Sequence, residues 1–543
     1  MTLKKNDEIT LKIKSVTSEG SGVGRYNGFA VFVRNSVAGD TVLAHIIKAS
    51  KNYAVAVIKE IIEPSENRIE SDCPVSDKCG GCSLRYMTYE QELLFKKSFV
   101  EENIARIGHI DFKAEEIIGA QSVDNYRNKA QYPVLCENGS FSAGFYAYKS
   151  HRIIPVDYCR LQPKEFEKGI KAFEKWALKN NISSFDEKTG KGVLRHIYFR
   201  KAFATGEIMA CAVVNANDIP DKDYLIEELK SAFDNLKSVV LNINRKNTNV
   251  ILGNETITLW GSDKITDILL GKRFVISPES FYQVNHSQCE RLYTAAAEFA
   301  DLKGDETLLD LYCGAGTIGL TMADKCKRLI GIEIVRQAVE NAKENAKINS
   351  VENAEFICAD AFDGAKIITE RGIKPDAVIL DPPRKGCQKE IFDLIESLNI
   401  KRIVYVSCNS ATLARDLEIL ASKGYKLKRL KAIDLFPRTP HIETVVQLVR
   451  KKPDTYIDIT VDMDELDLTS SEAKATYEEI KDYVFEGFGL KVSSLNIAQV
   501  KTKCGIIERE NYNKPKSENV KQPQCTKDKE EAIMSALRHF KMI

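Results

Sequence analysis

Short runs of alternating apolar and polar residues open the chain: Ile9, Leu11 and Ile13, then Ala30–Val33, then Tyr53–Ile58. Alternation of period two buries one face of a strand, and Glu19-Gly-Ser-Gly-Val-Gly24 and Asn27-Gly28 supply turns between the runs. Residues 1–62 are therefore expected to form a small OB-like β-barrel, with Pro64-Ser-Glu-Asn67 marking its end. From 63 to 289 the pattern is mixed, with a helical stretch near Tyr89–Ile107 and candidate strands at Ala130–Leu135 and Arg195–Arg200. A central α+β domain is expected there. From 290 to 453 the apolar runs Thr307–Leu311, Arg328–Ile332, Ala377–Leu380 and Arg402–Val406 alternate with helical segments. That alternation predicts an α/β, Rossmann-like domain built on a parallel sheet, with ligands at the strand carboxyl ends.

After Lys451-Lys-Pro453 the periodicity is helical, predicting a small helical extension over 454–543. Ser470-Ser-Glu472 is placed to cap a helix running towards Phe485, Gly487–Ser494 to turn, and Leu495–Lys503 and Glu530–Phe540 to form two further helices. A compact unit of this kind can resemble a helix-turn-helix. Lys491, Lys501 and Lys503 are then candidate phosphate contacts and Asn496 and Gln499 candidate hydrogen-bonding groups; the plainer reading is a solvated basic face.

Charge adds little, since 78 Lys and Arg face 77 Asp and Glu, so any nucleic-acid surface must be a local basic patch. No apolar core of a signal peptide opens the chain, and no run reaches the roughly 18 apolar residues of a membrane span. A cytoplasmic protein without membrane contact is expected. Fourteen cysteines spread through so long a chain point to reduced thiols, metal ligands or catalysis rather than a disulfide framework.

Chemistry concentrates after residue 300. In Asp310-Leu-Tyr-Cys-Gly-Ala-Gly-Thr-Ile-Gly-Leu320, glycines 314, 316 and 319 follow a strand and open a helix, which lets a ligand approach the backbone closely. Glu333, ending the next strand, can accept hydrogen bonds from a ribose, so this segment suits either a methyl-donor site or a dinucleotide site. Asp381-Pro-Pro-Arg384 fixes a rigid turn at a strand end, an element a dehydrogenase does not need. Ser407-Cys-Asn409 places a thiol at the carboxyl edge of the same sheet, and Phe436-Pro-Arg-Thr-Pro-His-Ile-Glu443 places a carboxylate in a loop ahead of another strand. A soft nucleophile beside a proton acceptor suits methylation of uracil C5, because thiolate addition at C6 gives C5 carbanion character and a base must then remove the C5 proton.

Taken with Phe281-Tyr-Gln-Val-Asn285, these motifs resemble in order and spacing the bacterial RNA uracil-C5 methyltransferases, especially the 23S rRNA branch with a TRAM domain and an iron–sulfur cluster. The resemblance covers residues 1 to about 450 and implies a TRAM barrel, a central domain and a methyltransferase domain. It further implies Cys408 as nucleophile, Glu443 as general base, and Gln283, Tyr312, Glu333 and Asp381 as contacts of S-adenosyl-L-methionine, with Asp360 near the adenine. Cys73, Cys79, Cys82 and Cys159 match the ligands of a [4Fe–4S] cluster; four thiolates by themselves also suit tetrahedral zinc, and Cys136 matches no ligand. The related tRNA enzymes generally lack the TRAM domain and these cysteines, so the implied partner is 23S rRNA, held in part by barrel residues such as Arg25, Tyr26, Lys48, Lys51 and Tyr53, and the protein is expected to be a monomer. Three readings stand as alternatives: a tRNA methyltransferase, a nicotinamide-dependent oxidoreductase using only the Gly314 loop, and a non-catalytic RNA-binding protein with no need of Cys408 and Glu443.

Overall fold

A computed structural model describes residues 3–137, 139–451, 475–504, 506, 525–540 and 542–543. The chain divides into two compact units, Met1–Asp454 and Thr455–Ile543.

The first unit begins with a closed five-stranded barrel, in the spatial order Glu8–Val16, Gly22–Tyr26, Phe29–Val33, Tyr53–Glu63 and Thr41–Ala49. Alternate residues Ile9, Leu11 and Ile13 point inward to meet Val31, Val33, Val42 and Ala54, all buried, as the period-two pattern requires.

A seven-stranded sheet follows, and its strand Ile208–Val214 is buried along its whole length. Ile208, Ala210, Ala212 and Val214 face the helices Phe166–Lys179 and Lys222–Ala232, in a core with Trp176 and Phe199. Met209, Cys211 and Val213 join a different core, shared with Phe299, Leu308 and Val404. A strand covered on both faces carries no alternation, which is why the middle region reads so poorly from sequence.

The third layer is an eight-stranded sheet in the order Ala354–Cys358, Arg328–Glu333, Thr307–Leu311, Ala377–Leu380, Arg402–Ser407, Glu443–Arg450, Tyr425–Ile433 and Glu116–Ile118. Its first five strands are parallel, as expected. Two departures from the expected all-parallel sheet matter. Glu443–Arg450 inserts antiparallel to both neighbours, and the far edge strand Glu116–Ile118 comes from well upstream of residue 290. Helix Tyr89–Arg106, also upstream, packs on helix Ser410–Ser422. The layer is thus assembled from two stretches of chain.

The second unit contains helices Tyr477–Phe488, Ser494–Lys503 and Lys527–His539, which enclose Ile480, Val484, Ile497, Val500, Ile533 and Leu537. The expected cap Ser470-Ser-Glu472 lies outside the described residues; the first helix is capped by Thr476 in a capping box with Glu479. Of the residues expected to face phosphates, Lys491 and Lys503 are exposed and Lys501 is buried. Asn496 completes the capping box of Ser493, Gln499 accepts the Cys525 N–H at 3.1 Å, Lys501 is buried over the Tyr477 ring, and Lys503 pairs with Glu530 at 2.7 Å. No helix among the described residues is long and apolar enough to cross a membrane.

Candidate active site

Strand order in the eight-stranded sheet reverses between Thr307–Leu311 and Ala377–Leu380, and sheets of this kind bind ligands beyond the carboxyl ends at that point. A cavity of about 660 Å³ opens there, and Gln283, Tyr312, Glu333, Asp360, Asp381, Cys408 and Glu443 all line it. The structure therefore brings together every residue singled out in the sequence for catalysis or cofactor contact.

One end of the cavity is built on the glycine turn. Gly314 and Gly316 lie in the left-handed region at φ 55° and 76°, and a Cβ on Gly314 would meet nothing within 4 Å, so the backbone faces open space. Gly319 serves packing: a Cβ there would come within 2.7 Å of the Asp310 carboxylate, whose Oδ2 accepts the Gly319 N–H at 3.0 Å. Burial pushes the Asp310 carboxyl up to about 8, and its Oδ1 is buried without a partner among the described residues. Tyr312 holds a positive φ of 64° without being glycine, backbone strain of a kind that clusters at functional sites. Glu333 accepts from the N–H groups of Gly314 at 3.2 Å and Val335 at 2.9 Å, which fixes its carboxylate above the turn. Ile334 and Phe281, 65% and 72% exposed, offer flat apolar surface in the same cavity. Asp360 stands at its edge as the cap of helix Ala361–Glu370, accepting from the Phe362 N–H at 3.0 Å.

The other end holds the thiol and the carboxylate. Cys408 is half-buried after strand Arg402–Ser407, and Glu443 is 3% exposed at the start of its antiparallel neighbour. Burial raises the Cys408 thiol to about 11, the negative charges of Glu443 and Asp381 add to the rise, and the Arg384 guanidinium opposes it. Burial, then the neighbouring Asp381, holds Glu443 well above the usual carboxylate range, and burial lifts Asp381 to about 7. Asn409 caps the helix Ser410–Ser422 through its Oδ1 and donates its amide to the Arg384 carbonyl at 3.2 Å, where Thr412 Oγ1 also donates at 3.2 Å. These bonds lock the Ser407-Cys-Asn409 and Asp381-Pro-Pro-Arg384 segments together.

Other residues of the site carried no separable sequence signal. Lys129 and His441 line the cavity; burial lowers the lysine to about 8 and the histidine to about 4, leaving the imidazole neutral. Arg384, Phe436 and His441 also border a second cavity of about 510 Å³, which runs between the barrel and the cysteine loop. Its walls include Arg34, stacked 3.9 Å over the Tyr148 ring, together with Arg127 and Lys149. Of the barrel residues named from sequence, Arg25 donates to the Gly28 carbonyl at 2.9 Å, Tyr26 packs against the barrel core, and Lys48, Lys51 and Tyr53 are exposed.

Cys73, Cys79, Cys82 and Cys159 are free thiols around one small cavity, about 70 Å³, closed by Val75, Phe145, Val156 and Leu161. Burial chiefly, with charge on Cys73 and Cys79 adding to it, raises Cys82 to about 11 and Cys159 to about 12. Among the described residues no three His, Cys, Asp or Glu converge closely enough to hold a single metal ion. Cys136 lies elsewhere, packed against the core of the seven-stranded sheet.

Residues 88–451 match the tRNA (Uracil-5-)-methyltransferase family, and residues 3–59 match the TRAM domain. An uncharacterized RNA methyltransferase of Clostridium tetani is 44% identical over 82% of this chain and 96% of its own length. A second, from Clostridium acetobutylicum, is 43% identical over 82% of this chain and 98% of its own. Among solved structures, the Pyrococcus abyssi tRNA (uracil-54, C5)-methyltransferase in complex with S-adenosyl-L-homocysteine superposes with a TM-score of 0.67 at 27% identity, covering 81% of this chain and 99% of that one. The turn, the thiol and the buried carboxylate thus lie in a recognised setting: the chain belongs to the tRNA (uracil-5-)-methyltransferase family and is an RNA methyltransferase that uses S-adenosyl-L-methionine.

Proposed function

We propose that this protein makes 5-methyluridine in RNA, with Cys408 as nucleophile and Glu443 as base. The observation that supports this most directly is the meeting of Cys408, Glu443 and the glycine turn in one cavity. In this reading the Cys408 thiol gives up its proton to solvent, the thiolate sulfur bonds to C6 of uracil, and the C5–C6 π pair moves into an enolate over C5, C4 and O4. The nucleophilic C5 then takes the methyl group, with S-adenosyl-L-homocysteine as the leaving product. Glu443 accepts the C5 proton, and the C6–S bond breaks as the C5–C6 double bond returns. Burial keeps the thiol protonated at rest, and the Arg384 charge, with a backbone hydrogen bond, favours the thiolate against Glu443 and Asp381.

The residues present fit S-adenosyl-L-methionine. Gly314 leaves room against the backbone, Glu333 stands over the turn where a ribose would lie, and Ile334 and Phe281 offer apolar surface to an adenine. Gln283, Tyr312, Asp360 and Asp381 complete the set proposed to hold it. The four cysteines line one small cavity and suit either a [4Fe–4S] cluster or tetrahedral zinc, and the sequence resemblance favours the cluster. Bound there, such a cluster would join the Cys73–Cys82 loop to Cys159.

For the substrate, 23S rRNA follows from the sequence resemblance, with the strand lying in the Arg34–Tyr148 groove and its uridine turned into the catalytic cavity. A second reading, tRNA, is favoured by the Pyrococcus abyssi structure. Its superposition covers 81% of this chain, a share too large for the eight-stranded sheet alone, so possession of further domains does not separate the two substrates. Incubation with radiolabelled S-adenosyl-L-methionine and unmodified 23S rRNA or tRNA, followed by nucleoside mapping, decides between them. Label in neither, or in a nucleoside other than 5-methyluridine, would refute the proposal.

A further inference from the structure

Lys96 is fully buried in helix Tyr89–Arg106, far from the cavity in sequence and absent from its walls. Its ammonium donates to Glu92 at 2.7 Å, to Asp434 at 2.7 Å and to the Phe436 carbonyl at 3.2 Å, which uses all three of its hydrogens. Arg438 completes the group: its backbone N–H donates to the same Glu92 carboxylate at 2.8 Å, its guanidinium lies 3.5 Å from that carboxylate, and it donates to the Met87 carbonyl at 2.9 Å. Two cations and two carboxylates therefore balance where water cannot screen them.

Apart from the Lys96–Glu92 pair within the helix, these contacts fall on one segment, Asp434 to Ile442, which contributes Phe436 and His441 to the cavity and leads directly into Glu443. The segment has little regular structure of its own, and Arg438 sits at φ 69° without being glycine. Its backbone carbonyls are met from outside: Gln288 donates to residue 434 at 2.9 Å, Asn285 to 435 at 3.1 Å, Lys96 to 436, Tyr126 to 437 at 3.0 Å and the Leu84 N–H to 438 at 3.1 Å. Lys96 alone among these grips both a carboxylate and a carbonyl of the loop, and it is the only one that carries charge. A strained loop whose carbonyls 434 to 438 are each held from outside has little freedom at its start.

We infer that Lys96 is the positioning residue of the catalytic loop: clamped between Glu92 and Asp434, it sets where Phe436, His441 and Glu443 stand without touching the substrate. This rests on the reading of Glu443 as the base. The helix that carries Lys96 begins directly after the cysteine loop, so the same clamp ties that loop to the catalytic one through Leu84 and Arg438.

The test uses the full-length enzyme, in vitro transcripts of 23S rRNA and tRNA, and S-adenosyl-L-methionine, with Lys96→Met beside Glu443→Gln. A displacement near 1 Å far from the chemistry can cost on the order of 10²-fold, so kcat of Lys96→Met should fall at least about thirtyfold. Cofactor affinity should stay unchanged, and the covalent enzyme–RNA adduct should accumulate, as it should in Glu443→Gln. Accumulation of adduct is the signature that general loosening would not produce. Wild-type kcat, or a low kcat with no adduct, in a Lys96→Met enzyme that still binds cofactor overturns the inference. If that variant does not fold, Tyr89→Phe decides, because it removes only a hydroxyl that donates to the other oxygen of Asp434 at 2.8 Å and accepts from the Ala120 N–H. A lowered kcat with adduct supports the clamp, and wild-type behaviour overturns it. Glu443→Gln turning over like wild type would instead sink the base assignment, whatever Lys96→Met does.

Discussion

Ser407 and Thr444 stand opposite each other across an antiparallel ladder, in a sheet whose preceding strands are all parallel. The reversal brings the start of one strand beside the end of its neighbour, and so sets Glu443 on the same edge as Cys408. Replacing Cys408 by Ala should abolish turnover while leaving cofactor affinity intact, since the glycine turn and Glu333 lie at the other end of the cavity. Calorimetric titration with S-adenosyl-L-homocysteine, paired with a methylation assay, checks both halves.

Glu443→Gln should slow product formation by about 10²- to 10⁴-fold, the usual worth of a positioned base. Attack and methyl transfer precede the step it blocks, so a band of protein linked to RNA should persist on denaturing gels. An unlinked band together with full product yield would assign the base elsewhere.

The charges around Cys408 predict how its alkylation responds to pH. With the thiol near 11, iodoacetamide should label the free enzyme slowly at neutral pH and faster as pH rises. Arg384→Met removes the charge that favours the thiolate and should move the profile to higher pH. Asp381→Asn removes a charge that disfavours it and should move the profile lower. Coincident profiles for the three proteins would show that neither side chain acts on the sulfur.

Asp310 makes a stability prediction with a definite sign. Its folded value near 8 lies above the ordinary 3.8, so the native state favours its protonated form. The stability this contributes is complete below the unfolded value and disappears as pH rises from about 4 to about 8. Thermal unfolding of the cofactor-free enzyme should fall across that interval, and Asp310→Asn, which can still accept the Gly319 N–H, should flatten the dependence.

For the cysteine cavity, anaerobic purification should yield a brown protein with about four irons per chain. Cys79→Ala should lose the iron and destabilise the loop that walls the Arg34–Tyr148 groove, weakening RNA binding more than cofactor binding. Stoichiometric zinc in the anaerobic protein would favour the other metal.

How much of this was legible in the sequence follows from how locally each feature is encoded. The barrel strands could be read from their period of two, and the runs at Thr307, Arg328, Ala377 and Arg402 because short, largely apolar runs alternate there with helical segments. Cys408, Glu443 and the glycine turn stood out through motif order. Strand Glu116–Ile118 could not be assigned to its sheet, since three residues carry no period and its partner lies at Tyr425–Ile433. Lys96 looked like any helical lysine, because its meaning depends on Asp434 across the fold. The tail shows the converse: Lys501 reads as a surface lysine in the sequence, yet it is buried over the Tyr477 ring, while Lys503 stays exposed beside Glu530.

Strand Ile208–Val214, whose two faces belong to two cores, has a consequence for how the chain is made. During synthesis its Ile208, Ala210 and Ala212 face finds Phe173 and Trp176 already present. Its Met209, Cys211 and Val213 face joins a core whose members Ile265, Phe274 and Leu292 through Val445 all leave the ribosome later. Through that interval the nascent chain presents an uncovered apolar sheet face, the kind of surface that aggregates or recruits chaperones. Vectorial folding can therefore complete the barrel and the helix-covered face of the sheet early, while the core on the other face gains its last members only once the strand bearing Val445 has emerged.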